Sequence, residues 1–163
     1  LILLRKAAGF TPVIFDNLAT VWEAAVKFGP FFRGGLVNRA DVDAAFACYR
    51  PVAVLHFATL SFVRESMTDP GKYWRVNVMG ALNLIEGALA AGCRNFVFSS
   101  TCTKYDDHDG VLLDRDSRHH PINAYGASKR DIKDMLGHVD EWRSQRRIDV
   151  MSMKPRKLSA VLS

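Results

Sequence analysis

The twenty residues Leu82-Asn83-Leu84-Ile85-Glu86-Gly87-Ala88-Leu89-Ala90-Ala91-Gly92-Cys93-Arg94-Asn95-Phe96-Val97-Phe98-Ser99-Ser100-Thr101 hold the end of one element and the whole of the next. Val78, Leu82, Ile85 and Leu89 recur every three or four residues, which predicts a helix over Tyr73 to Ala91 with one apolar face, and Gly92 stops it. Phe96-Val97-Phe98 then forms a short unbroken apolar run closed by Ser99-Ser100-Thr101, the pattern of a strand covered on both faces. Upstream, Val42, Ala45 and Phe46 predict a helix over Asp41 to Tyr49, halted by Pro51 before a second apolar run, Val52 to Phe57. Pro12-Val13-Ile14-Phe15, closed by Asp16-Asn17, reads as an earlier strand, and Leu1 to Ala8 as the end of a helix stopped at Gly9. Downstream come a helix over about Ala124 to Gln145 and a further strand within Ile148 to Met153. Buried strands alternating with helices give an α/β fold, a parallel sheet wound on both faces, with its chemistry beyond the carboxyl ends of the strands. Those ends are Asp16-Asn17, Phe57 to Ser61 and Ser99 to Thr103.

A chain of 163 residues, 48% hydrophobic and 24% charged, is one globular domain rather than a disordered or fibrous segment. The longest apolar stretch, Val52 to Val63, is broken by His56, Thr59 and Ser61 and is too short to cross a bilayer, so no membrane partner is expected. The opening Leu1-Ile2-Leu3-Leu4-Arg5-Lys6 has the reverse order of a secretory signal, and Cys48, Cys93 and Cys102 have neither disulfide nor zinc spacing. They read as reduced packing residues of a cytoplasmic protein. The net charge of +5 is local: from Arg143 onward six cations face Asp149 alone, while the rest of the chain is balanced. No aromatic residue follows Trp142 to stack on a base, so this basic stretch reads as a solvated face rather than a nucleic-acid site.

Tyr125 and Lys129 form Y-x-x-x-K near the start of the last predicted helix, a spacing that puts both on one face. An ammonium near a phenol favours its ionised form, so such a pair can carry acid–base work close to neutral pH. The spacing alone is a weak signal. Context strengthens it, because Ser99-Ser100-Thr101 ends a buried strand 24 to 26 residues earlier and brings a hydroxyl to the same crevice.

The set His56-Phe57-Ala58, Glu65-Ser66, Asp69-Pro70, Tyr73, Asn77-Val78, Gly80, Leu82-Asn83-Leu84, Phe96-Val97-Phe98-Ser99-Ser100-Thr101 and Pro121-Ile122-Asn123-Ala124-Tyr125-Gly126-Ala127-Ser128-Lys129 resembles the UDP-glucose 4-epimerases of the extended short-chain dehydrogenase/reductase family, across about residues 3 to 153. The resemblance implies a Rossmann-like fold, NAD as cofactor and a UDP-sugar as substrate, with reversible hydride transfer at C4 interconverting UDP-galactose and UDP-glucose. It implies Tyr125 as catalytic acid/base at the sugar 4-hydroxyl, Lys129 as the group that lowers the tyrosine pKa and binds the nicotinamide ribose, and Thr101 as the assisting hydroxyl on the substrate. Asp16 and Asn17 fall at the end of the family's second strand, where Asp16 holds the adenosine ribose. Phe57, Ala58 and Leu60 would line the dinucleotide path. It further implies a homodimer through helices 73–91 and 124–145.

The family opens on a strand and a Gly-rich turn, G-x-x-G-x-x-G, and the 11 glycines here show no such arrangement. The expectation is an incomplete sheet lacking its first strand, with unpaired edges beside the gap, in a chain truncated at both ends. Residues 1–153 are then a partial NAD-binding domain and 154–163 a divergent basic tail, with the substrate domain absent. Further departures are Gly34-Gly35 in the adenine-side loop, Ser61 at a position often Lys, Val76, and Tyr105-Asp106 where Tyr-Gly is usual. The alternative function is a non-catalytic fragment acting through helix-mediated association. A sugar-nucleotide dehydratase fits less well, since no Asp-Glu pair follows Thr101. Asp107, Asp109 and Gly110 make an incomplete calcium loop, and His119-His120 has no third ligand at sensible spacing, so no metal site is expected. His56 reads as a hydrogen-bonded core histidine. No G-x-S-x-G supports a hydrolase.

Overall fold

The computed structural model describes residues 9–20, 29–102, 121–144 and 150–153. Several sequence readings lie outside these residues: the helix over Leu1 to Ala8, the loop from Tyr105 to Asp116, His119-His120 and the basic tail.

Five strands are described, each paired in parallel. β1 (Ile14–Asp16) lies beside β2 (Phe31–Arg33), with Asp16 opposite Arg33. β4 (Asn95–Ser99) lies between β3 (Ala53–His56) and β5 (Val150–Met153), with His56 opposite Phe98. Among the described residues the sheet comes in two parts, β1-β2 and β3-β4-β5, and no ladder joins β1 to β3. Parallel neighbours need long crossovers, and helices supply them. α1 (Arg39–Tyr49) links β2 to β3, and the run from α2 (Val63–Thr68) through α4 (Gly80–Ala90) links β3 to β4.

The boundaries follow local chemistry. Asn38 accepts the Ala40 amide to cap α1, whose last turn closes on Arg50 in the left-handed region at φ 43°. α4 ends in a Schellman turn: Gly92, at φ +70°, donates to the Leu89 carbonyl and Cys93 to that of Ala88. The expected helix over Tyr73 to Ala91 is in fact three segments, α3 (Pro70–Tyr73), a π-helical stretch Trp74–Met79, and α4. β2 and α2 had no counterpart in the sequence reading. The run Val52 to Phe57 shortens to Ala53–His56, because Val52 and Phe57 are 66% and 47% exposed.

The core joins Val42 and Phe46 of α1, Ala81, Ile85 and Ala88 of α4, and Phe96 and Phe98 of β4 to Ile132 and Leu136 of α5 (Ala124–Ser144). Of the three cysteines only Cys93 packs; Cys48 and Cys102 are exposed, which corrects the reading of all three as packing residues. Cys48 is two residues beyond the inward-facing Phe46 and so turns away from the core.

α1 and α4 approach closely at Gly87, where an added Cβ would lie 2.9 Å from Val42 Cγ1 and 3.1 Å from the Phe46 ring. Overfilling a packed contact displaces side chains that have no room to move. Gly87→Val is expected to lower stability by about 2–3 kcal/mol in urea unfolding, and an unchanged midpoint would contradict this packing.

Candidate active site

α5 begins where Asn123 Oδ1 accepts the Gly126 amide at 2.7 Å, a side-chain cap that fixes Tyr125 in the first turn and Lys129 in the second. Lys129 is 2% exposed and its Nζ donates to the Ser99 carbonyl at 2.8 Å, at the carboxyl end of β4. The same ammonium stands 4.7 Å from the Phe98 ring centre and 5.9 Å from that of Tyr125. Burial disfavours the charged amine and brings its pKa down to about 8. Thr101, half-buried, lies two residues beyond the end of β4.

The loop after β3 is tied to the same helix through a residue to which the sequence reading gave no role. Asn77, fully buried in the π-helical stretch, accepts the Leu60 amide at 2.8 Å and donates to the Leu60 carbonyl at 3.0 Å and to Ser128 Oγ at 3.1 Å. Ser128 Oγ in turn donates to the Tyr125 carbonyl at 2.7 Å. One amide side chain thus joins the β3 exit to the turn of α5 that carries Tyr125. A polar residue in the middle of an otherwise apolar helix face was its one signal in the sequence; the structure adds that it sits in a π-helical turn, a feature frequent at functional sites. Alongside, Tyr73 is fully buried and stacks edge-on to Tyr125 with ring centres 6.5 Å apart. Its hydroxyl contacts the Phe62 carbonyl at 2.6 Å and Glu65 at 2.9 Å, and burial pushes its pKa up to about 12.

The structure brings Tyr125, Lys129 and the Ser99 carbonyl together and links Leu60 to them through Asn77 and Ser128. Phe57 and Ala58 follow β3 as exposed residues on the route between strand ends. Asp16 and Asn17 stand apart at the end of β1, where no hydrogen bond joins them to α5 among the described residues. Asp16 Oδ1 accepts the Leu18 amide at 2.7 Å, holding Leu18 in the left-handed region at φ 60°. The other oxygen, Oδ2, takes no donor among the described residues. A carboxylate oxygen at one strand end and a partly used ammonium at another, with the buried Ser100 Oγ just beyond β4 taking no partner among the described residues, suit the ribose hydroxyls of a dinucleotide. Among the described residues no group of three or more His, Cys, Asp or Glu side chains could hold a metal ion, and no helix is long and apolar enough to cross a membrane.

His56 is buried, as expected, but among the described residues neither ring nitrogen has a hydrogen-bond partner, which corrects the expectation of a hydrogen-bonded histidine. Its ring instead stacks on Phe98 at 5.6 Å and meets Phe96 edge-on at 6.2 Å. Burial, aided by the Lys129 charge, lowers its pKa to about 4. The unfolded chain, at about 6.5, then binds one more proton than the native state between pH 6.5 and 4. Stability must fall as pH drops through that window, by up to roughly 1.4 kcal/mol per unit. Urea unfolding at pH 7.5 and 4.5 is expected to show a smaller acid loss for His56→Leu than for the unmodified chain; equal losses would count against a buried neutral imidazole.

Residues 5–159 match the NAD dependent epimerase/dehydratase family. The UDP-glucose 4-epimerase of Rhizobium leguminosarum bv. trifolii is 41% identical over 140 residues, which cover 86% of this chain and 43% of that protein. The Corynebacterium glutamicum enzyme of the same name is 46% identical over 124 residues, covering 76% and 37% respectively. Among solved structures, UDP-glucose 4-epimerase from Brucella ovis in complex with NAD superposes with a TM-score of 0.84 at 32% identity, covering 92% of this chain and 45% of that one. The chain spans less than half the length of these relatives. The parallel sheet wound with helices is the Rossmann-like fold of these neighbours, and the chain belongs to the NAD dependent epimerase/dehydratase family.

Proposed function

We propose that this chain is the nucleotide-binding part of a UDP-glucose 4-epimerase, interconverting UDP-galactose and UDP-glucose with NAD. The observation that carries the reading is the Lys129 ammonium, held at the carboxyl end of β4 by the Ser99 carbonyl and facing the Tyr125 ring one turn earlier on α5. The names of the relatives support it, as does the bound NAD in the Brucella ovis structure.

In this reading the bound dinucleotide supplies a hydride acceptor that becomes the donor for the return step. Tyr125 takes the proton of the sugar 4-hydroxyl as the C4–H bond breaks and the C4 carbonyl forms. After the ketose turns its other face, Tyr125 returns the proton to the 4-oxygen as C4 is reduced again, so no net oxidation remains. Thr101 holds the same oxygen by its hydroxyl. Lys129 has one N–H on Ser99 and offers the others to the nicotinamide ribose, while its charge offsets the one that develops at Tyr125. Asp16 holds the adenosine ribose through its unpartnered oxygen; Asn17, Phe57, Ala58 and Leu60 flank the path between the two ribose sites. A second copy of the chain would dock on the helices around 73–91 and 124–145, where Trp74 and Met79 are 41% and 49% exposed and a shallow groove opens beside Met135 and Val139 on α5. Neither a nucleic acid nor a membrane enters this reading.

Turnover of UDP-galactose by the purified chain with NAD tests it. Saturable NAD binding by the purified chain is expected, and where conversion to UDP-glucose is seen Tyr125→Phe should slow it by about 10²–10⁴-fold. Binding of NAD without conversion would leave an association role; binding of neither ligand would refute the proposal.

A further inference from the structure

Tyr73 and Tyr125 meet edge to face, but their hydroxyls are placed differently. Tyr73 is fully buried, and its hydroxyl lies 2.6 Å from the Phe62 carbonyl and 2.9 Å from Glu65 Oε2. Glu65 Oε1 accepts Lys72 Nζ at 2.5 Å, and Lys72 together with the Tyr73 hydroxyl holds the Glu65 carboxyl below the usual carboxylate range. Phe62 leads into α2 and Glu65 lies in its first turn, so the phenol at the end of α3 is tied back to α2. Helices of six and four residues are too short to hold a place by their own backbone bonds, and this side-chain cluster fixes them to each other. Tyr125 is half-buried, and among the described residues its hydroxyl takes no hydrogen bond.

A buried apolar position needs no hydroxyl. Phenylalanine at 73 would fill the same space without a polar group to satisfy, so the hydroxyl serves to anchor the ring. What the anchored ring touches is Tyr125, at an interplanar angle of 74° with centres 6.5 Å apart. Backbone placement leaves the Tyr125 side chain unaimed. Asn123 caps its turn and Ser128 Oγ donates to its carbonyl, yet a helical tyrosine takes either of two χ1 rotamers and turns softly about χ2. An edge-on aromatic neighbour favours the orientation that meets it by about two- to tenfold, provided the neighbour is itself fixed. The Tyr73 phenol stays out of proton transfer, since burial and the Glu65 carboxylate push its pKa up to about 12. Of two adjacent tyrosines, one is thus locked by its hydroxyl and the other is left with its hydroxyl free.

We propose that Tyr73 is a positioning residue that aims the Tyr125 ring, its own ring being pinned to α2 through the hydroxyl. This rests on the reading of Tyr125 as the acid–base residue. Tyrosine labelled with carbon-13 on the ring is incorporated into the whole chain, and the Tyr125 signal, assigned with Tyr125→Phe, is compared by NMR in the unmodified chain, Tyr73→Phe and Tyr73→Leu. Tyr73→Phe keeps the edge contact but releases it from α2, and Tyr73→Leu removes it. The Tyr125 signal should move toward that of a freely turning tyrosine, further in the second variant, with the methyl signals of Ile132 and Leu136 in the core unmoved. Where UDP-galactose is converted, kcat should fall about two- to tenfold at unchanged KM. An identical Tyr125 signal in all three proteins would overturn the role of Tyr73. Movement of the core methyl signals along with it would reduce Tyr73 to a general structural contact and also overturn it. If Tyr73→Leu does not fold, Tyr73→Phe decides alone, and an unmoved Tyr125 signal there overturns the anchor. The expected movements in a chain that neither binds NAD nor converts UDP-galactose would refute the proposed function while leaving the hold of Tyr73 on the Tyr125 ring supported.

Discussion

Burying an ammonium costs several kcal/mol unless a hydrogen bond and a favourable field replace its water, and Lys129 is 2% exposed. The Ser99 carbonyl and the Phe98 ring face provide that replacement, both on β4. The helix can therefore sit on the sheet in only one register, with its second turn over the carboxyl end of β4. Tyr125 is then delivered to the mouth of the same crevice by helical geometry alone, one turn back toward the Asn123 cap. The cost shows as the fall of the Lys129 pKa from 10.5 to about 8. Since the unfolded chain holds that proton more tightly, the penalty is full below pH 8 and is relieved as pH rises toward 10.5. A group that opposes folding at neutral pH yet is buried so completely is typical of a site built for chemistry rather than for stability.

Two asparagines, Asn77 buried and Asn83 half-buried, relay this arrangement to the other strand ends. Asn77 clamps both backbone groups of Leu60 and reaches Ser128, one residue before Lys129. Asn83 holds the loop after β2. Both lie on the crossover between β3 and β4, so a single helical run positions the loops after two strands, β2 and β3, and the first turns of α5. The two sheet parts share no ladder among the described residues, and α1 packed on α4, with Phe15 of β1 against the common core, connects them.

Much of this was legible in the residues. Phe96-Val97-Phe98 extends by one residue at each side to Asn95–Ser99, and the helix from Ala124 is described as far as Ser144, the expected Gln145 lying outside the described residues. These elements announce themselves because their apolar residues are buried. β2 did not, since three residues between Gly29-Pro30 and Gly34-Gly35 give no period to read. α2 was hidden for the opposite reason: Phe62, Val63 and Met67 are apolar yet 40–66% exposed, so hydrophobicity there does not report burial. The π-helical stretch was invisible because one extra residue in a turn shifts a face without changing the spacing on either side. At the site, the pairing of Tyr125 with Lys129 was written in the spacing, whereas the acceptor on Ser99 and the lack of one on His56 depend on register between β3, β4 and α5, which no local pattern encodes.

The pKa of Lys129 is the most direct gauge of this construction, and it can be read by NMR titration of the chain with isotope-labelled lysine, with Lys129→Met providing the assignment. A side-chain signal that titrates near 8 is expected. A Lys129 that titrates near 10.4, the value of a solvated lysine, would mean that the amine is not buried against Ser99, and the placement of Tyr125 that depends on it would fall as well.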